Sequence, residues 1–301
     1  MAAPRLAFKV DVDTDRGTRL GVPALLDLFA AKAVPANFLF SLGPDNTGRA
    51  IRRVFRKGFL GKVGRTNVVG TYGLRTLMNG VILPGPDIAR RNAAVMRRTA
   101  QMGFSVGIHT YDHIRWQDGL ARMTLDQTRA EFGRARQAFE RVFGHAAPSA
   151  GAAGWQANAR SLEVYDEAGL IWASDARGPH PFRPRSDGRV FDTPQLPTTL
   201  PTLDELIGRP EYPKDRLAGH LMSLLRPDHL EVFTLHAEIE GMSHLAWFGQ
   251  FIDAVKAQGV EVVDIDAAGR DIAGRISDLP VCDLVQGTVD GRSGTLAVQA
   301  V

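Results

Sequence analysis

The sequence predicts an α/β fold whose mostly parallel sheet curves toward a barrel, and three observations predict it. Short apolar runs of strand character alternate with segments whose apolar residues recur at helical spacing, the pattern of strand–helix–strand units. Polar residues able to do chemistry sit where several of those runs end: Asp11 and Asp13, His109, Asp175 and His236. In a barrel of parallel strands such ends share one face, and sites are built there. The 301 residues show no repeat at a fixed period and no linker, so the chain reads as one domain, 1–301.

Composition narrows the class. Hydrophobic residues make up 44% and charged residues 23%, which excludes a disordered or membrane-embedded chain. Cys282 is the single cysteine, so no intrachain disulfide forms, in keeping with a reducing compartment. Lys9 and Asp11 interrupt the short N-terminal apolar run, so no secretory signal core is expected and the reading is cytoplasmic. No apolar run approaches the roughly 18 residues of a membrane span.

The first strand runs from Leu6 to Val12 and ends in Asp11-Val12-Asp13-Thr14. Alternation places Asp11 and Asp13 on one side, where two like charges repel unless a cation or shared proton relieves them; capping of the next turn is the plainer alternative. A turn at Arg16–Arg19 leads to a helix carrying Val22, Leu25, Leu26, Leu28 and Phe29, with Pro23 in its first turn. Asn37–Phe40 is the second strand.

Residues 46–86 break the rhythm. They contain no Asp or Glu, yet hold seven basic residues between Arg49 and Arg65. Arg52, Arg53, Arg56 and Lys57 alternate with Phe55, Phe59 and Leu60. Such a basic amphipathic insertion reads either as a solvated helix over its own core or as a surface that meets anionic lipid. No base-reading motif accompanies it, so no nucleic-acid partner is expected.

Regular alternation then resumes. Ile88–Met102 is helical in pattern and leads into Phe104–His109, a strand followed by His113. Thr124 and Gln127 form a capping-box signature for a helix closed by Gly144. Ser149–Trp155 is a small-residue loop suited to close approach. Leu170–Ser174 and Glu231–Leu235 are strands ending at Asp175 and His236. Ser243 is expected to cap the helix carrying Leu245, Phe248, Ile252 and Val255. Val260–Val263 is the last clear strand, and Pro280–Val301 a short β-rich tail.

His109 and His113 stand four apart, a spacing that brings two imidazoles together on one helical turn. With Asp13 they offer one oxygen and two nitrogens, a three-ligand set that leaves a position for water. Zn²⁺ suits such a set first, and Mn²⁺, Co²⁺, Fe²⁺ or Ni²⁺ are also compatible. Asp11 is placed to act as a base and His236 as an acid, with Asp175 or Glu238 orienting the imidazole. Arg177 either neutralises Asp175 or binds an anionic group.

Asp11-Val12-Asp13-Thr14, the His109/His113 pair and Leu235-His236, in that order along nearly the whole chain, resemble the polysaccharide deacetylase family (NodB homology, carbohydrate esterase family 4). The resemblance implies an irregular, incomplete (β/α) barrel. It implies Asp11 as general base, Asp13, His109 and His113 as ligands of one divalent metal ion, and His236 as acid. The family's arginine-containing third motif is replaced here by Ser149–Trp155, so the resemblance does not supply a partner for the base.

Further runs resemble one deformylase branch of that family: Val10–Thr14, Arg16–Pro23, Gly43–Asn46, Ala152–Trp155, Ser174–Gly178, Pro181–Pro184, Leu200–Thr202, Leu206–Arg209 and Thr234–Glu238. That likeness implies hydrolysis of the N-formyl group of a formamido-arabinose carried on undecaprenyl phosphate, in lipid A modification and polymyxin resistance. It makes Asn46, Trp155, Arg177 and Arg183 candidate substrate-binding residues. It also favours the lipid-facing reading of 46–86, hence a cytoplasmic protein held peripherally at the anionic inner-membrane surface. Polysaccharide or peptidoglycan N-deacetylation, and a catalytically silent lipid-linked-sugar binder, are the alternatives.

Overall fold

The computed structural model describes residues 3–50 and 73–300. Seven parallel strands form the main sheet. They are β1 (Arg5–Val12), β2 (Asn37–Ser41), β3 (Ser105–Thr110), β4 (Ser149–Ala150), β5 (Trp172–Ala173), β8 (Leu230–His236) and β9 (Glu261–Val263), in the order β5-β4-β3-β2-β1-β8 with β9 also on β1. Strand β8 takes one whole edge of β1, from Arg5 to Asp11. The other edge is shared, with β9 against Arg5–Ala7 and β2 against Lys9–Val12.

Alternation along β1 sorts the two faces. Leu6, Phe8, Val10 and Val12 join Phe38, Phe40, Ile108, Phe233 and Leu235 in the main core, beneath the helices α1 (Val22–Lys32), α2 (Ile88–Gln101), α3 (His113–Gly119), α4 (Leu125–Phe143), α5 (Ala159–Ala168) and α6 (Leu245–Ala257). Ala7, Lys9 and Asp11 point the other way, into the curve of the sheet. Ala7 packs there on Trp172, Leu196, Val232 and Ile265, the last from α7 (Ile265–Gly274). The concave side therefore has an apolar floor and a polar upper half.

Among the described residues no strand fills the gap between β5 and β8. The extended segment Gln195–Leu200 spans it instead, with Leu196 N donating to Ala173 O (2.8 Å) and Thr199 and Leu200 N both reaching Val232 O (3.2 and 3.3 Å). The barrel is irregular and incomplete, as the resemblance implies. A second sheet of β6 (Arg183–Ser186), β7 (Arg189–Val190), β10 (Val281–Gly287) and β11 (Leu296–Gln299) gives the β-rich tail its place.

Three expectations need correction. Arg16–Arg19 is not a simple turn: Gly17–Gly21 forms a π-helical turn that runs straight into α1. Ser243 does not cap α6, because it ends a second π-helical turn, Ile239–Ser243, and its hydroxyl bonds the His244 ring. Helices α5 and α7 lie where no helix is expected. In α5 the signal was Asn158, whose side chain and that of Ser161 cap each other's backbone N–H.

Candidate active site

The polar ends of β1, β3 and β8 meet at the top of the concave face. Asp11 and His236 are direct neighbours in the parallel register of β1 and β8. His109 owes its position to a β-bulge: Phe40 pairs with Ile108 and Ser41 with Thr110, so His109 is the extra residue. A bulge re-aims one side chain and is frequent beside active sites. The His109 Nδ1 hydrogen is directed at Gly151 O, 2.7 Å away, which leaves Nε2 as the free donor nitrogen.

His113 reaches the same point by a different route. It is the first residue of α3, whose cap is Asp112, accepting from Arg115 N. The two histidines thus do not share a helical turn, contrary to the sequence expectation. A strand end, a two-residue turn and a helix start bring their ring centroids to 5.3 Å. Asp13 Oδ1 lies 3.2 Å from His109 Nε2 and 3.4 Å from His113 Nε2.

These three residues have one ligand atom each within 4.8 Å of the others. Asp13 Oδ1 is buried with no hydrogen-bond donor among the described residues, as expected of an oxygen meant for a cation. Burial works against its charge, but His113 and then His109 outweigh that and hold the Asp13 carboxyl well below its usual range. The donor set fits a divalent ion with open positions.

The loop bearing Asp13 is held from behind. Glu238 Oε1 accepts from Thr14 N (2.9 Å), Thr14 Oγ1 (2.7 Å) and Asp13 N (3.2 Å). Burial, then the nearby Asp13 charge, pushes the Glu238 carboxyl up to about 8. Glu240 Oε2 accepts from His236 N at 2.8 Å, and burial pushes that carboxyl up to about 8 as well. The His236 ring stands edge-on to Trp155, centroids 6.3 Å apart, and its Nδ1 is buried without a partner among the described residues.

Asp175 was expected to orient His236; its contacts lie elsewhere. It accepts from Ala152 N (2.6 Å), Gln195 Nε2 (2.9 Å) and Tyr165 OH (3.4 Å), and burial raises it to about 6. It thereby fixes the Gly151–Ala152 turn whose carbonyl orients His109. Glu238 likewise serves Thr14 rather than His236.

The candidate substrate residues divide. Trp155, with a left-handed backbone (φ 53°) and 2% exposure, is a wall beside His236, its Nε1 bonded to Thr198 Oγ1. Arg177 is spent inside the protein on Glu205, Thr198 O and Leu200 O, so it neither pairs with Asp175 nor stands free for an anion. Asn46 donates to Asp112 Oδ2 (2.7 Å) and so steadies the cap of His113. Arg183 pairs with Asp192 on the second sheet. Arg52, Arg53, Phe55, Arg56, Lys57, Phe59 and Leu60 lie outside the described residues. Lys9 was not singled out, although its place two residues before Asp11 was the signal.

Comparison with known proteins agrees with this geometry. The polysaccharide deacetylase family matches residues 12–171. A protein of Shewanella sediminis, described as a 4-deoxy-4-formamido-L-arabinose-phosphoundecaprenol deformylase (ArnD), is 35% identical over 298 residues, 98% of this chain and 95% of that protein. One of Wigglesworthia glossinidia brevipalpis with the same description is 29% identical, covering 94% and 98%. A crystal structure from Mycobacterium smegmatis described as a polysaccharide deacetylase superposes with TM-score 0.64 at 18% identity, covering 96% of this chain and 99% of that one, which speaks for the fold.

Proposed function

Because the chain belongs to the polysaccharide deacetylase family, we propose that it is a metal-dependent amide hydrolase that removes the N-formyl group from a 4-deoxy-4-formamido-L-arabinosyl undecaprenyl phosphate. The observation that carries this reading is the placement of Asp11 and His236 in register on neighbouring strands, beside the Asp13, His109 and His113 cluster. The substrate follows from the two relatives described as such deformylases. In this reading the product serves aminoarabinose modification of lipid A.

Asp13, His109 and His113 would hold the ion, Zn²⁺ first by ligand type and Mn²⁺, Co²⁺, Fe²⁺ or Ni²⁺ by supply. When bound, such an ion polarises a carbonyl oxygen and lowers the pKa of water. Asp11 Oδ1, buried and without a donor among the described residues, accepts the proton of the attacking water. His236 gives a proton to the sugar nitrogen as the C–N bond breaks, so water and formamide become formate and amine. In this reading the Trp155 ring, edge-on to His236 with centroids 6.3 Å apart, selects a formyl group over a bulkier acyl.

The substrate's lipid places the reaction at an anionic membrane surface. Leu74 (67% exposed), Val81 (57%) and Ile82 (75%) stand on the described part of the insertion, after the basic run in sequence. Among the described residues no helix is long and apolar enough to cross a membrane. The lipid-linked substrate makes the reading peripheral docking at the cytoplasmic face.

The test compares formate release from the formamido-arabinosyl lipid with acetate release from its acetamido analogue. The formyl substrate should win by about 10–200-fold, the usual worth of one excluded methyl. Faster acetate release would favour an N-deacetylase, and binding without any turnover a silent sugar-lipid binder.

A further inference from the structure

Lys9 is a charged side chain of the concave face whose role the hydrolase reading leaves open. It lies two residues before Asp11 on the same face of β1 and is 1% exposed. Its Nζ stands 3.5 Å from Asp11 Oδ2, donates to Ser174 O at 3.3 Å and lies 5.6 Å from the centre of the Trp155 ring. Its neighbours in the sheet register are Thr234 on β8 and Asn37 on β2. Gly151 packs beside it: a Cβ there would clash with Leu39 Cδ1 at 2.5 Å and crowd Ser174 O at 3.2 Å, while Lys9 Nζ at 3.6 Å would be in ordinary contact.

A buried ammonium is expensive unless it is paired. Burial lowers the Lys9 pKa, and the Asp11 and Asp175 charges act against that shift. The two oxygens of Asp11 have different surroundings. Oδ2 faces Lys9, whereas Oδ1 has no hydrogen-bond partner among the described residues and lies 3.9 Å from His109 Nδ1. We propose that Lys9 is the positioning residue of the base: it anchors Oδ2 of Asp11 against the wall formed by Ser174 and Trp155, and so presents Oδ1 alone to the attacking water. The inference rests on the hydrolase reading above.

The geometry makes Lys9 act through Asp11 and through nothing on the substrate, which a double-mutant cycle detects. Wild type, Lys9→Met, Asp11→Asn and the double variant are compared with the formamido substrate, each with its metal content measured. Lys9→Met should lower kcat on the order of 10²-fold, the usual scale for one such electrostatic contact. KM should stay within about twofold and the ion should be retained, since only a positioning effect is lost. In the Asp11→Asn background the same change should cost less than about threefold, because the carboxylate Lys9 serves is gone. If Lys9→Met does not fold, Lys9→Gln takes its place in the same cycle. Equal losses in both backgrounds, or loss of the ion, would reduce Lys9 to a structural part and overturn the inference. A Lys9→Met variant as fast as wild type would overturn it alone. A wild-type protein that binds its ion but releases no formate would overturn the hydrolase reading, and this inference with it.

Discussion

Glu240 shows how single residues are held against their own preferences. It is fully buried and accepts the backbone N–H of His236, so the strand end that bears His236 is fixed by a carboxyl that burial pushes up to about 8. A raised carboxyl pKa means the folded state binds the proton more tightly than the unfolded chain. The cost of its charge is absent below the ordinary pKa of about 4.5 and fully present above about 8. Stability should fall as pH rises through that window, by up to roughly 1.4 kcal/mol per pH unit. Thermal melts of the metal-loaded protein between those limits check it: Glu240→Gln should flatten the decline, and an unchanged slope would contradict the assignment. At this scale the sequence pointed to the residues that meet: Asp11, Asp13, His109, His113 and His236 lie together at the strand ends, although the two histidines do so without sharing a helical turn. Their supports were hidden, because Gln195 and the Gly151 carbonyl act across 20 and 42 residues and Glu240 acts through the His236 backbone N–H, which no spacing records.

The elements that carry Asp13 and His236 are locked together by two π-helical turns. A Cβ on Gly21 would stand 2.0 Å from Ala237 O, and one on Gly241 would stand 2.7 Å from Gly21 O. The backbone of Gly21 is ordinary right-handed helix (φ −74°), so the glycine is required by space and not by dihedral. Gly21→Ala should destabilise by about 1–3 kcal/mol as the turns are forced apart, and kcat should fall with it because the wedge opens between Asp13 and His236. A melting temperature equal to wild type would show that the contact yields freely. Strand β1 and helix α4 were legible because alternation and the Thr124 box are local signals. The π-turns and the His109 bulge were not, since each is an insertion into a regular pattern made to satisfy a contact remote in sequence.

Across the whole molecule the curled sheet gathers one apolar floor, one polar rim and one open side. The expectation of a parallel, barrel-like sheet held: the strand ends that carry Asp and His share one face, as parallel strands of a barrel arrange them. In the proline- and turn-rich stretch Gly178–Pro201 only Val190-Phe191 and Gln195-Leu196 read as extended, so the closure by Gln195–Leu200 was legible at its first residues alone. If the insertion meets lipid, Val81→Asp with Ile82→Asp should weaken co-sedimentation with anionic vesicles several-fold while leaving turnover of detergent-dispersed substrate intact. Unchanged sedimentation would remove these two side chains from the docking surface.

The most direct measurement is formate release by metal-free protein titrated with Co²⁺. The account predicts no turnover without metal, a rate that climbs in proportion to added ion, and a plateau at one equivalent per chain. Full activity in the metal-free protein, or no formate at any equivalent, would contradict it.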